Sequence, residues 1–306
     1  MDMHSPAPKT TILLVCFTQG KTRRYTEQQF RGIFAEPILN GSVQLTRVTL
    51  EPAEAGVTRA LLEAANPDAL IVTGMQPRAG ALNEDPLWPT LAALVDYATT
   101  RNLPTVWSCL AAHAAVLHLD GIGRRRLPRK LAGLAACNLT DGTHPLMAGL
   151  PGRWLVPHSR YNDLPQDKLV SHGYRILSTV EQAGADSFAH DCRPNFLFCQ
   201  GHPEYDAHAL LREYRRDIRQ FLAGEAEDYP AIPQSYFSPG VLMLLDSFRH
   251  YAQAQRNPKA LAAFPADACQ ADVADSWRDV GVRLFANWLA PSRAVGTCAH
   301  DAARGC

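Results

Sequence analysis

Cys109 and the triplet His202-Pro203-Glu204 are the residues of this chain whose types and spacing could do chemistry together. Cys109 lies in Val106-Trp107-Ser108-Cys109-Leu110-Ala111-Ala112-His113-Ala114, where a short run of β-formers gives way to an Ala-rich, helix-forming segment. A cysteine at such a turn stands at the carboxyl end of a sheet, and the first free N–H groups of the helix favour its thiolate. Taken alone, the position also fits a buried structural cysteine. In the triplet, Pro203 fixes its own φ and pushes His202 towards an extended conformation. Residues i and i+2 of an extended segment point the same way, so the imidazole and the carboxylate leave one strand end together. A carboxylate beside an imidazole holds it and favours its protonated form. Either motif alone has a bland reading, a core thiol or a surface His–Glu pair. Together they form the set a thiol acyl-transfer enzyme needs: nucleophile, base and a group that orients the base.

The flanking sequence supplies elements that would position both motifs. Thr10 to Cys16 is a continuous apolar run, as in a strand covered on both faces. Phe17 to Lys21 reads as a loop and Thr26-Glu27-Gln28-Gln29-Phe30 as a helix start. Further strands are expected at Ser42–Leu50, at Ala69–Gly74 and at the run before Cys109, with helices over Ala55–Ala65 and Trp88–Thr100 between them. This alternation predicts an α/β fold, a doubly wound, mostly parallel sheet flanked by helices, with the ligand site outside the carboxyl ends of its strands. Leu131–Leu139, Trp154–Pro157, Arg175–Ser178 and Asn195–Cys199 are strand-like, and Ala207–Leu222 is helical with Leu210, Leu211, Tyr214, Ile218 and Phe221 on one face. Val241–Gln255 and Trp277–Leu289 read as helices, Arg256–Ala274 as irregular. The expected domain is 1–290, with an irregular extended insertion at about 239–274 and a flexible tail over 291–306.

Composition bounds the function. Thirty Lys and Arg balance thirty Asp and Glu, which argues against a general nucleic-acid or anionic-membrane binder. The eight cysteines show no CxxC and no paired spacing, so no structural zinc or other metal is expected. Met1–Thr10 has no apolar core of signal-peptide length and no run approaches a membrane span, so a cytoplasmic chain is expected. From Gly121 to Leu131 the chain is basic, with Arg124, Arg125, Arg126, Arg129 and Lys130, either a solvated turn or a grip for an anion.

Linked motifs make a resemblance specific. A cysteine at a strand–helix elbow followed by a strand ending in His-Pro-Glu is similar to the class I glutamine amidotransferase fold, a flavodoxin-like architecture. Gly201-His-Pro-Glu-Tyr-Asp206 with Glu213-Tyr-Arg-Arg-Asp217 resembles the homoserine O-succinyltransferase family within that fold. Pro157-His-Ser-Arg160, Ile71-Val-Thr-Gly74, Glu181-Gln-Ala-Gly184, Tyr236-Phe237 and the segment Trp277–Leu289 extend the match over Thr10 to Ala290. The resemblance implies a two-step acyl transfer in methionine biosynthesis, with acyl-CoA as co-substrate and no bound cofactor. Cys109 would carry the acyl group, His202 would be the base and Glu204 its orienting partner. Lys130, Ser159 and Arg216 match the family's substrate contacts, and a homodimer is implied. The backbone N–H of Leu110 and that of Met75, in the loop after Gly74, are candidates for the oxyanion hole.

Spacing alone reads differently at some of these positions. Arg216 lies opposite the apolar stripe of its helix, a solvated face, and Lys130 reads similarly; Ser159 could be a cap or turn residue, and His158 and Arg160 could pair with backbone. His113 reads as a packing residue. Leu110 and His113 stand where the family commonly has Trp and Gln, the loop Phe17–Tyr25 lacks the usual Asn-Leu-Met-Pro string, and Pro239–Ala274 is longer than its family counterpart. In the family a glutamate after the Thr-Gly loop goes with acetyl-CoA; Ala79 near that position implies succinyl-CoA, whose carboxylate Arg78 or the basic segment near Lys130 could hold. The rivals are an acetyl donor, another hydroxy amino acid such as serine as acceptor, a glutamine amidotransferase-type amidase, and a silent binding protein.

Overall fold

The computed structural model describes residues 9–17, 20–75 and 80–290. Its first half runs β1 (Thr10–Cys16), α1 (Gly20–Ile33), α2 (Ala35–Leu39), β2 (Val43–Thr49), α3 (Ala55–Ala65), β3 (Ala69–Val72), α4 (Trp88–Thr100), β4 (Thr105–Ser108) and α5 (Leu110–Asp120). Then follow β5 (Arg125–Leu139), β6 (Arg153–Asp163), α6 (Gln166–Ser171), β7 (Tyr174–Val180), β8 (Gly184–His190), β9 (Arg193–Cys199), α7 (Ala209–Leu222), α8 (Pro239–Gln255), α9 (Ala266–Asp272) and α10 (Arg278–Leu289).

The strands form one sheet in the order β2-β1-β3-β4-β9-β8-β7-β5-β6. The first five are parallel, and the step from β9 to β8 begins an antiparallel extension that runs to β6. The expected α/β architecture is therefore present, with its parallel part on one side of β9. Period-two alternation explains the continuous apolar run of β1. Leu13 and Val15 face a core shared with α4 and α5, while Ile12, Leu14 and Cys16 face one shared with α1 and α10. A further apolar cluster joins α7 to α8 through Tyr214, Ile218, Leu245, Phe248 and Phe264.

Several segments differ from the sequence reading. The first helix starts at Gly20, ahead of Thr26, and β5 starts at Arg125, inside the basic segment, with a register shift between Arg126 and Leu131. β6 extends from Arg153 to Asp163, well past Pro157. β8 has no counterpart in the sequence reading, because Asp186 and Ser187 interrupt its apolar residues and yet are buried. Within 256–274, expected to be irregular, the chain forms a 3-10 turn over Pro258–Ala263 and then α9. Residues 291–306 lie outside the described residues. No helix among the described residues is long and apolar enough to cross a membrane.

Candidate active site

β4 and β9 are parallel neighbours, and Ser108 pairs with Cys199 at their carboxyl ends. The two motifs separated in sequence therefore leave the sheet side by side. The Cys109 amide donates to the Cys199 carbonyl at 2.7 Å, which ties the elbow to β9. Cys109 itself has φ 53° and ψ −114°, a backbone conformation a β-carbon disfavours and one that costs on the order of 1–3 kcal/mol. The turn is tight because Gly74 packs against it. A β-carbon on Gly74 would lie 3.1 Å from Cys109 Cβ and 3.1 Å from the Leu110 nitrogen. Leu110 is the first residue of α5, so its N–H has no helical carbonyl to bond and opens towards the Gly74 loop. Met75, the other expected oxyanion donor, is half-buried beside the same loop and packs on the core next to α5.

The strand β9 ends at Cys199, and the chain turns through Gln200 and Gly201 into His202. The His202 amide donates to the Pro157 carbonyl at 2.8 Å, and Gly201 lets the turn lie on β6 and β8. A β-carbon there would meet Asp186 Oδ1 at 2.6 Å and His158 Cε1 at 3.0 Å. His202 Nδ1 lies 2.9 Å from Glu204 Oε1, which also accepts from the Ser108 hydroxyl at 3.3 Å. The Cys109 thiol is hydrogen-bonded to the imidazole. With Nδ1 donating to Glu204, Nε2 is the nitrogen left for the sulfur. Burial pushes the pKa of His202 down, but the charges of Glu204 and Cys109 outweigh it and hold it well above the ordinary histidine value. Cys109, His202 and Glu204 thus form one connected line, and it can hold an imidazolium beside a thiolate.

Two parts of this line were not legible beforehand. Ser108 is a silent neighbour of the cysteine in sequence, and only the β4–β9 register carries its hydroxyl to Glu204. Tyr205 stacks on the His202 ring at 4.1 Å between centroids and 16° between planes, and its hydroxyl donates to Glu213 Oε1 at 2.7 Å.

A scan of family models matches homoserine O-succinyltransferase over residues 58–293. The chain belongs to the homoserine O-succinyltransferase family. It is 45% identical to the homoserine O-succinyltransferase of Methylorubrum extorquens over 87% of this chain and 82% of that one. It is 49% identical to that of Rhodopseudomonas palustris over 72% of this chain, a match spanning 66% of that relative's length. A glutamine amidotransferase from Thermotoga maritima has the same fold, with a TM-score of 0.52, 12% identity, and 92% of this chain and 99% of that one covered.

Of the positions that match the family's substrate contacts, Lys130 and Arg216 meet at Asp217. Lys130 Nζ lies 2.6 Å from one Asp217 oxygen and Arg216 Nη2 lies 2.8 Å from the other. Arg216 is half-buried in this ion pair, unlike the freely solvated residue that spacing predicts; burial opposes its charge, and Glu213 and Asp217 restore it. Ser159 is half-buried on β6, opposite Ala132 of β5 and two residues from Lys130 in the strand. Ala79, the expected acyl-specificity position, and Arg78 lie outside the described residues.

Arg160 pairs with backbone as expected, donating to the Asn162 carbonyl at 3.0 Å and the Ala183 carbonyl at 3.4 Å, but it also makes side-chain pairs, and His158 faces a carboxylate instead of backbone. His158 Nε2 lies 3.3 Å from Asp186 Oδ1, and Arg160 spans Asp163 Oδ1 at 3.0 Å and Gln200 Oε1 at 2.9 Å. His113 also joins this network, its Nε2 donating to Gln200 Oε1 at 2.8 Å. The network lies beneath the His202 turn and makes a buried polar base for it. Among the described residues no cluster of His, Cys, Asp or Glu could hold a metal ion.

Proposed function

We propose that the chain transfers a succinyl group from succinyl-CoA to the hydroxyl of L-homoserine through an acyl-enzyme on Cys109. The observation that carries this reading is the Cys109–His202–Glu204 line at adjoining strand ends, in a chain of the homoserine O-succinyltransferase family. In the first step the thiolate attacks the thioester carbonyl carbon, the C–S bond to CoA breaks, and the His202 imidazolium gives its proton to the departing CoA sulfur. The oxyanion formed on the way is stabilised by the Leu110 N–H and that of Met75, each such donor contributing roughly 3 kcal/mol. In the second step neutral His202 takes the proton of the homoserine hydroxyl as its oxygen attacks the thioester of Cys109. The Cys109–acyl bond breaks, and the thiolate–imidazolium pair is restored. Glu204 keeps Nδ1 protonated throughout, so that Nε2 performs both transfers.

Arg216 is read as the partner of the amino acid's carboxylate, with Lys130 and Ser159 completing the substrate contacts. Asp217 holds both cations together until substrate arrives. A cytoplasmic location, a homodimer, a single acyltransferase domain over 1–290 and a place in methionine biosynthesis accompany this reading. The test is steady-state assay with succinyl-CoA and L-homoserine, following free CoA and the acylated amino acid together. Product that requires both substrates supports the reading. Ammonia release from glutamine without any CoA-dependent product contradicts it.

A further inference from the structure

We propose that Arg126, Lys130 and Tyr161, on the hairpin of β5 and β6, seat the phosphorylated nucleotide end of the acyl-CoA donor. This rests on the acyl-transfer reading above and names where the far end of that donor docks. Between the pairs Arg126–Asn162 and Leu131–Arg160, residues 127–130 of β5 stand opposite Tyr161 alone. The bulge curls β5 around the tyrosine, so that residues on both sides of it reach one ring. The Arg126 guanidinium carbon lies 5.6 Å from the Tyr161 ring centre, and Lys130 Nζ lies 5.3 Å from it. Tyr161 is exposed, so this ring organises two cations at the surface instead of packing in a core.

Positive charge is in local excess here, although the chain as a whole is neutral. Two carboxylates meet the cations of this hairpin, and each is already shared. Asp163 takes Arg125 at 3.1 Å and Arg160 at 3.0 Å, and Asp217 takes Lys130 and Arg216. Among the described residues neither Arg126 nor Arg129 has an ion pair, and both are exposed. The diphosphate and 3′-phosphate of CoA are anions that such cations hold, and the fork of donors on Arg126 suits a phosphate. Lys130 has three N–H donors, so one on Asp217 leaves two for a phosphate.

Lys130 also ties this seat to the reacting groups by contact. His202 stacks on Tyr205 at 4.1 Å, and the Tyr205 hydroxyl donates to Glu213 at 2.7 Å. One turn of α7 further on is Asp217, which accepts from Lys130 at 2.6 Å. The pantetheine arm of CoA spans about 16 Å from sulfur to diphosphate when extended, by standard bond lengths. It can follow this route with its thioester at Cys109 and its phosphates at Arg126 and Lys130.

The test compares succinyl-CoA with succinyl-pantetheine, which has the same thioester and arm but no phosphate or nucleotide, using L-homoserine as acceptor. CoA binding is measured alongside by calorimetry. Arg126→Gln removes one charge at an exposed position, and Arg126→Lys keeps it. For Arg126→Gln the expected result is a fall in kcat/KM of about 10- to 100-fold with succinyl-CoA and of less than about threefold with succinyl-pantetheine. CoA should bind Arg126→Gln more weakly by a factor similar to the first, and Arg126→Lys should recover most of that loss. Equal losses with both donors would overturn the assignment, since they would mean an effect on the shared arm or on the fold. Full affinity of Arg126→Gln for CoA, or no binding of CoA by the unaltered protein, would overturn it also. If CoA binds the unaltered protein and loses affinity in Arg126→Gln, but neither thioester yields product, the seat stands and the acyl-transfer reading falls.

Discussion

Gly281 of α10 lies directly against the carbonyl of Pro203, so that a methyl group at position 281 would overlap that oxygen. The turn carrying His202 and Glu204 is thus braced from the helix side, and Trp277 adds a second brace by donating its indole N–H to the Tyr205 carbonyl at 2.8 Å. Gly281→Ala gains helix propensity of up to about 1 kcal/mol, but the backbone carbonyl it meets cannot rotate aside as a side chain could. The overlap wins. We predict a net loss of about 1–2 kcal/mol in urea unfolding and a fall of roughly 10- to 100-fold in kcat, because a small displacement of the base misaligns it.

Glu204→Gln tests the charge on the imidazole. Burial alone lowers the pKa of His202, and the charge of Glu204 is the first influence that opposes it. Without that charge the imidazolium should form only at lower pH. The pKa of His202, followed by NMR titration of its ring protons, should drop in the variant. A value as high as in the unaltered protein would show that Glu204 does not set it.

His113 predicts acid sensitivity. Burial and the Arg160 charge push its pKa from 6.5 to about 3, so it stays neutral in the folded chain. Below pH 6.5 the unfolded chain binds a proton that the folded one refuses, and stability falls as pH drops from 6.5 towards 3. One such group gives a slope of about 1.4 kcal/mol per pH unit. His158, His144 and His190, also held below the ordinary histidine value, add slopes of the same sign. His113→Gln keeps a donor towards Gln200 and cannot titrate. Urea unfolding between pH 6 and 4 should therefore show a slope shallower by about 1.4 kcal/mol per pH unit in the variant.

Asp186 anchors the polar base of the site. It accepts from the Gly201 amide at 3.2 Å and the Ser178 hydroxyl at 3.0 Å, and it faces His158. Burial alone would raise its pKa, but His158, Ser178 and Arg160 overcome that and keep it low. Asp186→Ala leaves the buried Gly201 amide and Ser178 hydroxyl without their acceptor, at about 1–3 kcal/mol each, and should cost about 2–5 kcal/mol in urea unfolding. A loss under 1 kcal/mol would mean that the network rearranges around the gap.

The parallel strands, the Cys109 elbow and the direction of His202 and Glu204 were legible because each rests on local pattern: apolar runs, a strand-to-helix change, and a proline between two functional groups. What escaped were relations set by register and burial. β8 is hidden because its buried polar residues are satisfied by partners outside the strand, such as Ser178 of β7 and the Gly201 amide for Asp186. The hydroxyl of Ser108 reaches Glu204 only because β4 and β9 adjoin. Arg216 reads as a solvated position from helix spacing, yet Asp217 and Glu213 keep it charged in a half-buried place. No pattern within one helix shows which strand its polar face will meet.

A covalent acyl group on Cys109 is the intermediate that the proposed transfer requires. Intact-mass measurement of the protein after mixing with succinyl-CoA, with Cys109→Ala as the control, tests it most directly. The prediction is a single succinyl adduct that is absent from Cys109→Ala and discharged on adding L-homoserine. No adduct under conditions where the protein turns over succinyl-CoA and homoserine, or an adduct that persists in Cys109→Ala and is discharged from it, would contradict the account.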